Sequence, residues 1–243
     1  MGQKQRLDKA LVLRKLAGSR GRSKELIKEG AVEVGGVVVK DPSLEVTEEE
    51  VITLSRPDIP WVSRSALKLE HALKHFNVEV KGKHVVDIGA STGGFTEVLL
   101  SWGAKHVCAL DVGHGQLHER LRADKRVTNM EGMHVNDMTA KEFPAKIAIV
   151  TIDVSFISLT KVLDKAMALI PKGGVIVALL KPQFEVGKEA INKGLVKDEK
   201  LRMRAIAEVS LYARSIGLLV SDAEPSPILG RDGNQEFLLL LTK

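Results

Sequence analysis

From residue 83 onward the chain alternates two kinds of hydrophobic pattern. Apolar runs at 84–88, 106–110, 147–152, 175–180, 217–222 and 236–241 read as strands. Between several of them lie stretches with helical spacing, 95–102, 115–122, 160–169 and 198–215. Strands alternating with helices predict an α/β fold around a largely parallel sheet. Ile147–Ile152 and Val175–Leu180 are apolar almost throughout, as central parallel strands buried on both faces are. A further helix is expected over Ser65–Phe76.

Before residue 57 the pattern is different. Leu7, Ala10, Leu11 and Leu13 fall at helical spacing, and Leu26 and Ile27 mark a second, basic helix that Gly30 stops. The runs Val32–Val34 and Val37–Val39 flank Gly35-Gly36, a hairpin signal. Asp41-Pro42-Ser43 is a turn, and 51–54 adds a strand. Arg56-Pro57-Asp58-Ile59-Pro60 holds two prolines in five residues and reads as a linker. The expected organisation is a small α+β unit over 1–56, a linker over 57–64 and an α/β unit over 65–243.

Charge sharpens this division. The formal net charge of the chain is only +5, but residues 1–28 hold nine Lys or Arg against Asp8 and Glu25. That excess suits phosphate contact, although a solvated helix face would carry the same charge. The single cysteine, Cys108, sits in an apolar run and reads as a core side chain; one cysteine permits no internal disulfide, which fits a reducing, cytoplasmic compartment. Val175–Leu180 and Phe237–Leu241 are far shorter than the roughly 18–20 residues a membrane helix needs. The first 16 residues carry charges inside their apolar stretch, unlike a secretory signal.

Val85–Phe95 is a strand, a glycine-rich turn and a helix start at the carboxyl end of the first parallel strand, where open α/β sheets bind ligands. The spacing is not Gly-x-Gly-x-x-Gly, since Gly89 is followed by the adjacent pair Gly93-Gly94, so a nicotinamide dinucleotide is disfavoured. Asp111, at the end of the second strand, is placed to accept hydrogen bonds from ribose hydroxyls; the bland alternative is a helix N-cap. Farther on, Asp153 and Lys181 each follow a buried apolar run, Glu236 opens the last strand, and Lys68 lies on the helix after the linker. A lysine at such a position is costly unless paired or used.

GASTGGF (89–95), DVSFISL (153–159), KPQFE (181–185) and GNQEFLL (233–239) together resemble the TlyA family, itself similar to FtsJ-type ribose 2′-O-methyltransferases. RLDKAL (6–11), SRGRSKELIKEGAVEVGG (19–36) and VVKDPS (38–43) resemble the S4 RNA-binding module found at the N-terminus of that family. The resemblance covers nearly the whole chain. It implies a Rossmann-like methyltransferase domain, S-adenosyl-L-methionine as cofactor and cytidine 2′-hydroxyls of ribosomal RNA, presented in ribosomal subunits, as substrate. The implied catalytic tetrad is Lys68, Asp153, Lys181 and Glu236. Implied cofactor contacts are Asp87, Gly89, Ala90, Ser91, Thr92, Gly93, Gly94, Phe95, Asp111, Val112 and Asp153, and implied RNA contacts are Arg6, Arg20, Arg22, Lys24 and Arg64. His114 stands where the family usually has an aromatic residue, and 128–139 matches only loosely.

The chemistry agrees with this assignment. A ribose hydroxyl must lose its proton as the methyl arrives, and a lysine serves as base only where desolvation or a neighbouring cation lowers its proton affinity. Lys181 is assigned as base or hydroxyl-orienting group, with Lys68 as the neighbouring cation and Asp153 and Glu236 orienting the amines. The sulfonium brings its own leaving group, so no metal is required. His71/His75 and His114/His118 are spaced four apart, as metal ligands can be, but no cysteine or acid cluster stands beside them, and they read as surface or core side chains. Trp61 is expected to pack the linker on the large domain rather than stack on a base. Two competing functions are a non-catalytic RNA-binding or ribosome-assembly factor, and a membrane-acting hemolysin, a label often attached to the family; the second needs an amphipathic or spanning segment that the sequence does not offer.

Overall fold

The computed structural model describes residues 4–55, 61–143, 145–187, 194–230 and 232–243. The first four residues of the expected linker, 57–60, lie outside them. The chain divides into two compact units, Met1–Pro60 and Trp61–Lys243.

In the first unit, β1 (Gln5–Arg6) leads into α1 (Leu7–Leu13), and α2 (Arg20–Lys28) begins at Ser19, whose side chain accepts the Arg22 N–H. Then come β2 (Val32–Val34), β3 (Val37–Val38), β4 (Glu45–Val46) and β5 (Ile52–Leu54). Gly35 and Gly36 both have positive φ, 59° and 81°, the requirement of a two-residue hairpin turn. β2 lies between β3 and β5, and β1 pairs with β4. The sequence pattern missed β1 and β4, which are two residues long each. Leu7, Ala10, Leu11, Leu26, Ile27, Val32 and Val46 form the core.

The second unit opens with α3 (Ala66–His75) and β6 (His84–Ile88). α4 (Gly94–Ser101), β7 (His106–Asp111), α5 (Glu119–Arg122) and β8 (Val127–Glu131) follow, then β9 (Ile149–Ile152), α6 (Thr160–Leu169) and β10 (Val175–Leu180). α7 (Glu199–Ser215), β11 (Leu219–Val220), β12 (Glu224–Pro225) and β13 (Phe237–Thr242) complete it. The sheet order is β11-β13-β10-β9-β6-β7-β8, with β12 also paired to β13. It is parallel from β10 through β8, and β13 is antiparallel to its neighbours.

Strand periodicity sorts the side chains into two cores. Val85, Val107, Ile149 and Val177 face Leu69, Leu73, Val98 and Leu99 of α3 and α4. Val86, Cys108, Val150 and Ile176 face Val162, Ala166, Ala205 and Val209 of α6 and α7. The result is a sheet with helices on both faces, the architecture the alternating pattern predicts. Cys108 is a core side chain, and burial pushes its thiol up to about 11.

Three local differences have physical causes. The expected helix over 115–122 starts only at Glu119, because the N–H groups of Gln116 and Leu117 are drawn to the Glu131 carboxylate and Gly115 has φ 66°. β8 was missed because Val-Thr-Asn-Met-Glu is an edge strand with one buried residue. The run at 217–222 shrinks to Leu219–Val220, since Gly217 takes φ 97° just after α7.

Candidate active site

The sheet register gathers the chemistry on one edge. Ile88 of β6 pairs with Ile152 of β9, and Ile152 with Ala178 of β10, so Gly89, Asp153 and Lys181 all emerge at the carboxyl ends of parallel strands. Leu180 pairs with Phe237 across the antiparallel β10/β13 junction. That junction places Glu236 at the same edge, although it begins its strand while the others end theirs.

The glycine turn is sterically determined. Gly89 has φ 83°, and a Cβ there would collide with the Asp153 carbonyl, so the turn lies directly against the β9 strand end. At Gly94, a Cβ would run into Ser65, which brings the segment before α3 against the start of α4. Ser91 N–H donates to Asp111 Oδ2 at 2.9 Å, and Gly113 N–H to Asp111 Oδ1 at 2.8 Å. Asp111 therefore ties the turn to the end of β7 and is not a helix N-cap, a place taken at α5 by His118.

A cavity of about 190 Å³ opens between these elements. Gly89, Ala90, Ser91, Thr92 and Phe95 form one side, Asp153, Ser155 and Lys181 another, and Ser63 and Ser65 complete it. Asp111 is joined to this wall through Ser91. Gly93, Gly94 and Val112 do not line the cavity; Val112 is exposed, and the two glycines serve packing against Leu121 and Ser65.

Asp87, grouped with the cofactor contacts on sequence grounds, points elsewhere. It is fully buried, and its two oxygens accept from Thr96 Oγ1 at 2.7 Å and Thr151 Oγ1 at 2.8 Å. Burial pushes its carboxyl up to about 6 against the pull of those hydrogen bonds, with the Asp153 charge adding to the rise. Asp87 fastens β6 to α4 and β9 beneath the turn.

The four implied catalytic residues form two ion pairs. Lys68 Nζ of α3 lies 2.5 Å from Glu236 Oε2, with both side chains almost wholly buried. Lys181 Nζ lies 2.7 Å from Asp153 Oδ1 and donates a hydrogen bond to Ser155 Oγ at 2.8 Å. Asp153 Oδ1 is buried and accepts no hydrogen bond, so its tie to Lys181 is ionic contact alone. Ser155 lay within the DVSFISL run and Ser65 at the start of the expected helix, but neither they nor Ser63 were singled out as site residues by the sequence. Two further loop contacts brace the edge. Glu185 of the KPQFE run accepts from Leu159 N–H and Ser158 Oγ, and burial raises its carboxyl despite these bonds. Phe156, 91% exposed with φ 66°, meets Phe184 at 5.1 Å between ring centroids.

Trp61 and Val62 pack on the α3/α4 side core, and Val62 N–H donates to Glu97 Oε2 at 2.6 Å. Arg64 follows them, half-buried. In the first unit, Asp8 has no exposed surface and pairs with Arg6 (3.2 Å) and Arg20 (3.0 Å). Burial works to raise the Asp8 carboxyl, but hydrogen bonds and charge from the two guanidiniums hold it below the usual range. Arg22 is engaged with Glu25 and is mostly buried, while Lys24 is exposed.

Comparisons with known proteins agree with this geometry. The FtsJ-like methyltransferase model matches residues 61–243, and the S4 domain model matches residues 5–52. The 16S/23S rRNA (cytidine-2′-O)-methyltransferase TlyA of Mycobacterium tuberculosis (strain ATCC 25618 / H37Rv) is 41% identical over 99% of this chain and 91% of its own length. A Streptococcus thermophilus structure that carries a hemolysin label superposes with TM-score 0.79 at 37% identity, covering 100% of this chain and 90% of that one. The fold is shared with the Bacillus cereus O-methyltransferase solved in complex with SAH (TM-score 0.53, 16% identity, 75% of this chain and 82% of that one). Matched along its length in both units, the chain belongs to the TlyA family of FtsJ-like methyltransferases with an N-terminal S4 domain.

Proposed function

We propose that this protein methylates the 2′-hydroxyl of a cytidine ribose in ribosomal RNA, with S-adenosylmethionine as donor, in the cytoplasm where ribosomal subunits reside. The observation that carries the reading is the Lys181–Asp153–Ser155 contact set in the wall of the same cavity that the glycine turn forms. The cavity suits the cofactor in its donor set. Close backbone approach at Gly89, the Asp111 carboxylate behind Ser91 and the anionic Asp153 suit a nucleoside that carries a positive sulfonium. When bound, the cofactor supplies an electrophilic methyl whose C–S bond breaks as the C–O bond forms.

The protein's part is positioning and proton handling. Asp153 and Ser155 fix the Lys181 amine at the cavity wall, where it holds the acceptor hydroxyl in line and receives or directs its proton. Glu236 is held by Lys68, so the second pair stiffens the junction of β13 with α3 beside the first. No step requires a metal. In the basic first unit, Asp8 sets the guanidiniums of Arg6 and Arg20 side by side, with Lys24 exposed nearby on α2, an arrangement that suits RNA phosphates. Among the described residues no helix is long and apolar enough to cross a membrane, so a membrane-acting reading has no support from a spanning helix.

The test is transfer of labelled methyl to purified ribosomal subunits under single-turnover conditions. Label is expected in RNA, in ribose. Lys181→Met, which keeps the apolar stem, is expected to slow transfer by roughly 10²–10⁴-fold while leaving cofactor affinity intact. A properly folded Lys181→Met protein that transfers at the wild-type rate removes Lys181 from the reaction. A wild-type protein that binds subunits but labels no RNA points to the non-catalytic assembly factor.

A further inference from the structure

One cluster of ligating side chains takes no part in methyl transfer. His71 and His75 stand one turn apart on α3, and the register of β12 on β13, Glu224 opposite Leu238, delivers a carboxylate to them from 149 residues farther along the chain. His71 Nε2 lies 2.8 Å from Glu224 Oε1, and His75 Nε2 lies 3.6 Å from Glu224 Oε2. The two imidazoles are stacked at 5.9 Å with an interplanar angle of 24°. One ligand atom from each of the three residues falls within 4.8 Å of the others. The neighbouring acid in sequence, Glu70, is held by Lys74; the carboxylate that meets the two histidines comes instead from β12.

A direct hydrogen bond joins His71 to one Glu224 oxygen, and His75, its ring inclined 24° to that of His71, turns the same nitrogen toward the other. A shared cation accounts for both. Zn–N and Zn–O bonds of about 2.0–2.2 Å place the donors of a tetrahedral ion roughly 3.3–3.5 Å apart. The two His–Glu contacts, 2.8 and 3.6 Å, engage different oxygens of Glu224, and the ligand atoms of the three residues lie within 4.8 Å of one another, so side-chain rotations that replace the direct His71–Glu224 hydrogen bond bring them to that spacing. Two imidazoles with one carboxylate select a borderline transition ion over Mg²⁺ or Ca²⁺, which take oxygen ligands. The side chains of His71, His75 and Glu224 are 36%, 45% and 24% exposed, which leaves the remaining coordination position to water.

We propose that His71, His75 and Glu224 form a site for a divalent transition ion of the zinc class, and that the ion clamps α3 to β12. The location gives the clamp a purpose. α3 carries Lys68, which pairs with Glu236 at the start of β13, and β12 is hydrogen-bonded to β13. The ion joins the same helix to the same pair of strands as the Lys68–Glu236 contact does. It is a structural site, separate from the methyl-transfer chemistry.

The experiment uses the full, untagged chain, stripped with a chelator and titrated with Zn²⁺ by calorimetry, with Co²⁺ absorption as a coordination probe and Mg²⁺ as control. One equivalent of Zn²⁺ should bind and raise Tm, Co²⁺ should give the visible bands of a low-coordinate histidine site, and Mg²⁺ should do neither. His75→Ala and Glu224→Gln should each weaken this equivalent at least tenfold, since losing even an outer-shell partner of a metal ligand weakens binding about 10–100-fold. Both should lose the Zn²⁺-dependent rise in Tm while their metal-free Tm and methyl transfer stay near wild type. No Zn²⁺ binding by the wild type, binding that the variants keep, or binding without a rise in Tm each overturns the proposal. If one variant unfolds, His71→Gln read by the Co²⁺ bands decides in its place.

Discussion

Asp87 offers a quantitative check on how the floor of the site is built. Replacing it with Asn keeps the shape and lets one amide both accept from and donate to the two threonine hydroxyls, but removes the ionisable proton. An aspartate ordinarily ionises near 3.8, and in the folded protein burial holds Asp87 at about 6. Each tenfold change in proton affinity corresponds to about 1.36 kcal/mol, so the ionised form is disfavoured in the fold by about 3 kcal/mol. Below the unfolded value both states are protonated and the group has no effect on stability. As pH rises from about 4 to about 6 the unfolded chain releases the proton more readily than the folded one, and stability falls. Above about 6 the full loss persists. The stability of Asp87→Asn relative to wild type should therefore rise by about 2.4 kcal/mol between pH 4 and pH 7. Both tryptophans, Trp61 and Trp102, belong to the second unit, so urea unfolding followed by their fluorescence reports that unit alone. A difference between the two proteins that stays constant over this pH range would refute the argument, because every other titrating group is common to both.

Further expectations concern the pairs and the two binding surfaces. Lys68→Met leaves Glu236 buried without its partner and should destabilise the second unit by about 3–5 kcal/mol in the same assay, with part of the loss recovered by adding Glu236→Gln; a loss below about 1 kcal/mol contradicts a buried, coupled pair. Asp111→Ala removes the acceptor of Ser91 N–H and should weaken S-adenosylmethionine binding by about 1–3 kcal/mol in calorimetry; unchanged affinity takes Asp111 out of the cofactor site. Arg20→Ala combined with Lys24→Ala should lower RNA affinity regardless of sequence and flatten the dependence of log K on log salt by about 1.4–1.8; an unchanged slope means these side chains touch no phosphates.

The strands at the heart of the fold were legible because buried parallel strands are apolar nearly without interruption, and Lys181 and Asp153 stood out as charges placed directly after such runs. Lys68 had no comparable local signal. It sits on an amphipathic helix with Lys74, and only the family resemblance singled it out; the fold sets it against Glu236 across 168 residues. A sequence shows that the Asp87 carboxylate precedes a glycine turn, not which way it points, and in the structure both its oxygens face threonines. Its threonine partners come from α4 and β9. The Lys181 contact of Ser155, and the role of Glu224, were hidden for the same reason. A serine in a loop and a glutamate on a two-residue edge strand gain meaning only from the neighbours that the register of β9, β10, β12 and β13 gives them.

The position of Glu236 has a consequence for how the protein is made. The core of the first unit closes among residues 7–52, all of which are available early in synthesis. The proposed catalytic quartet draws its first member from α3 and its fourth from just before β13, which follows every other described element in chain order. A nascent chain can thus present a folded basic surface to RNA well before it is able to complete the Lys68–Glu236 pair. The strand that brings Glu236 also fills the gap between β10 and β11. On the proposed roles, the unit expected to hold RNA is complete before the Lys68–Glu236 pair can form, and a chain stopped short of β13 lacks that pair.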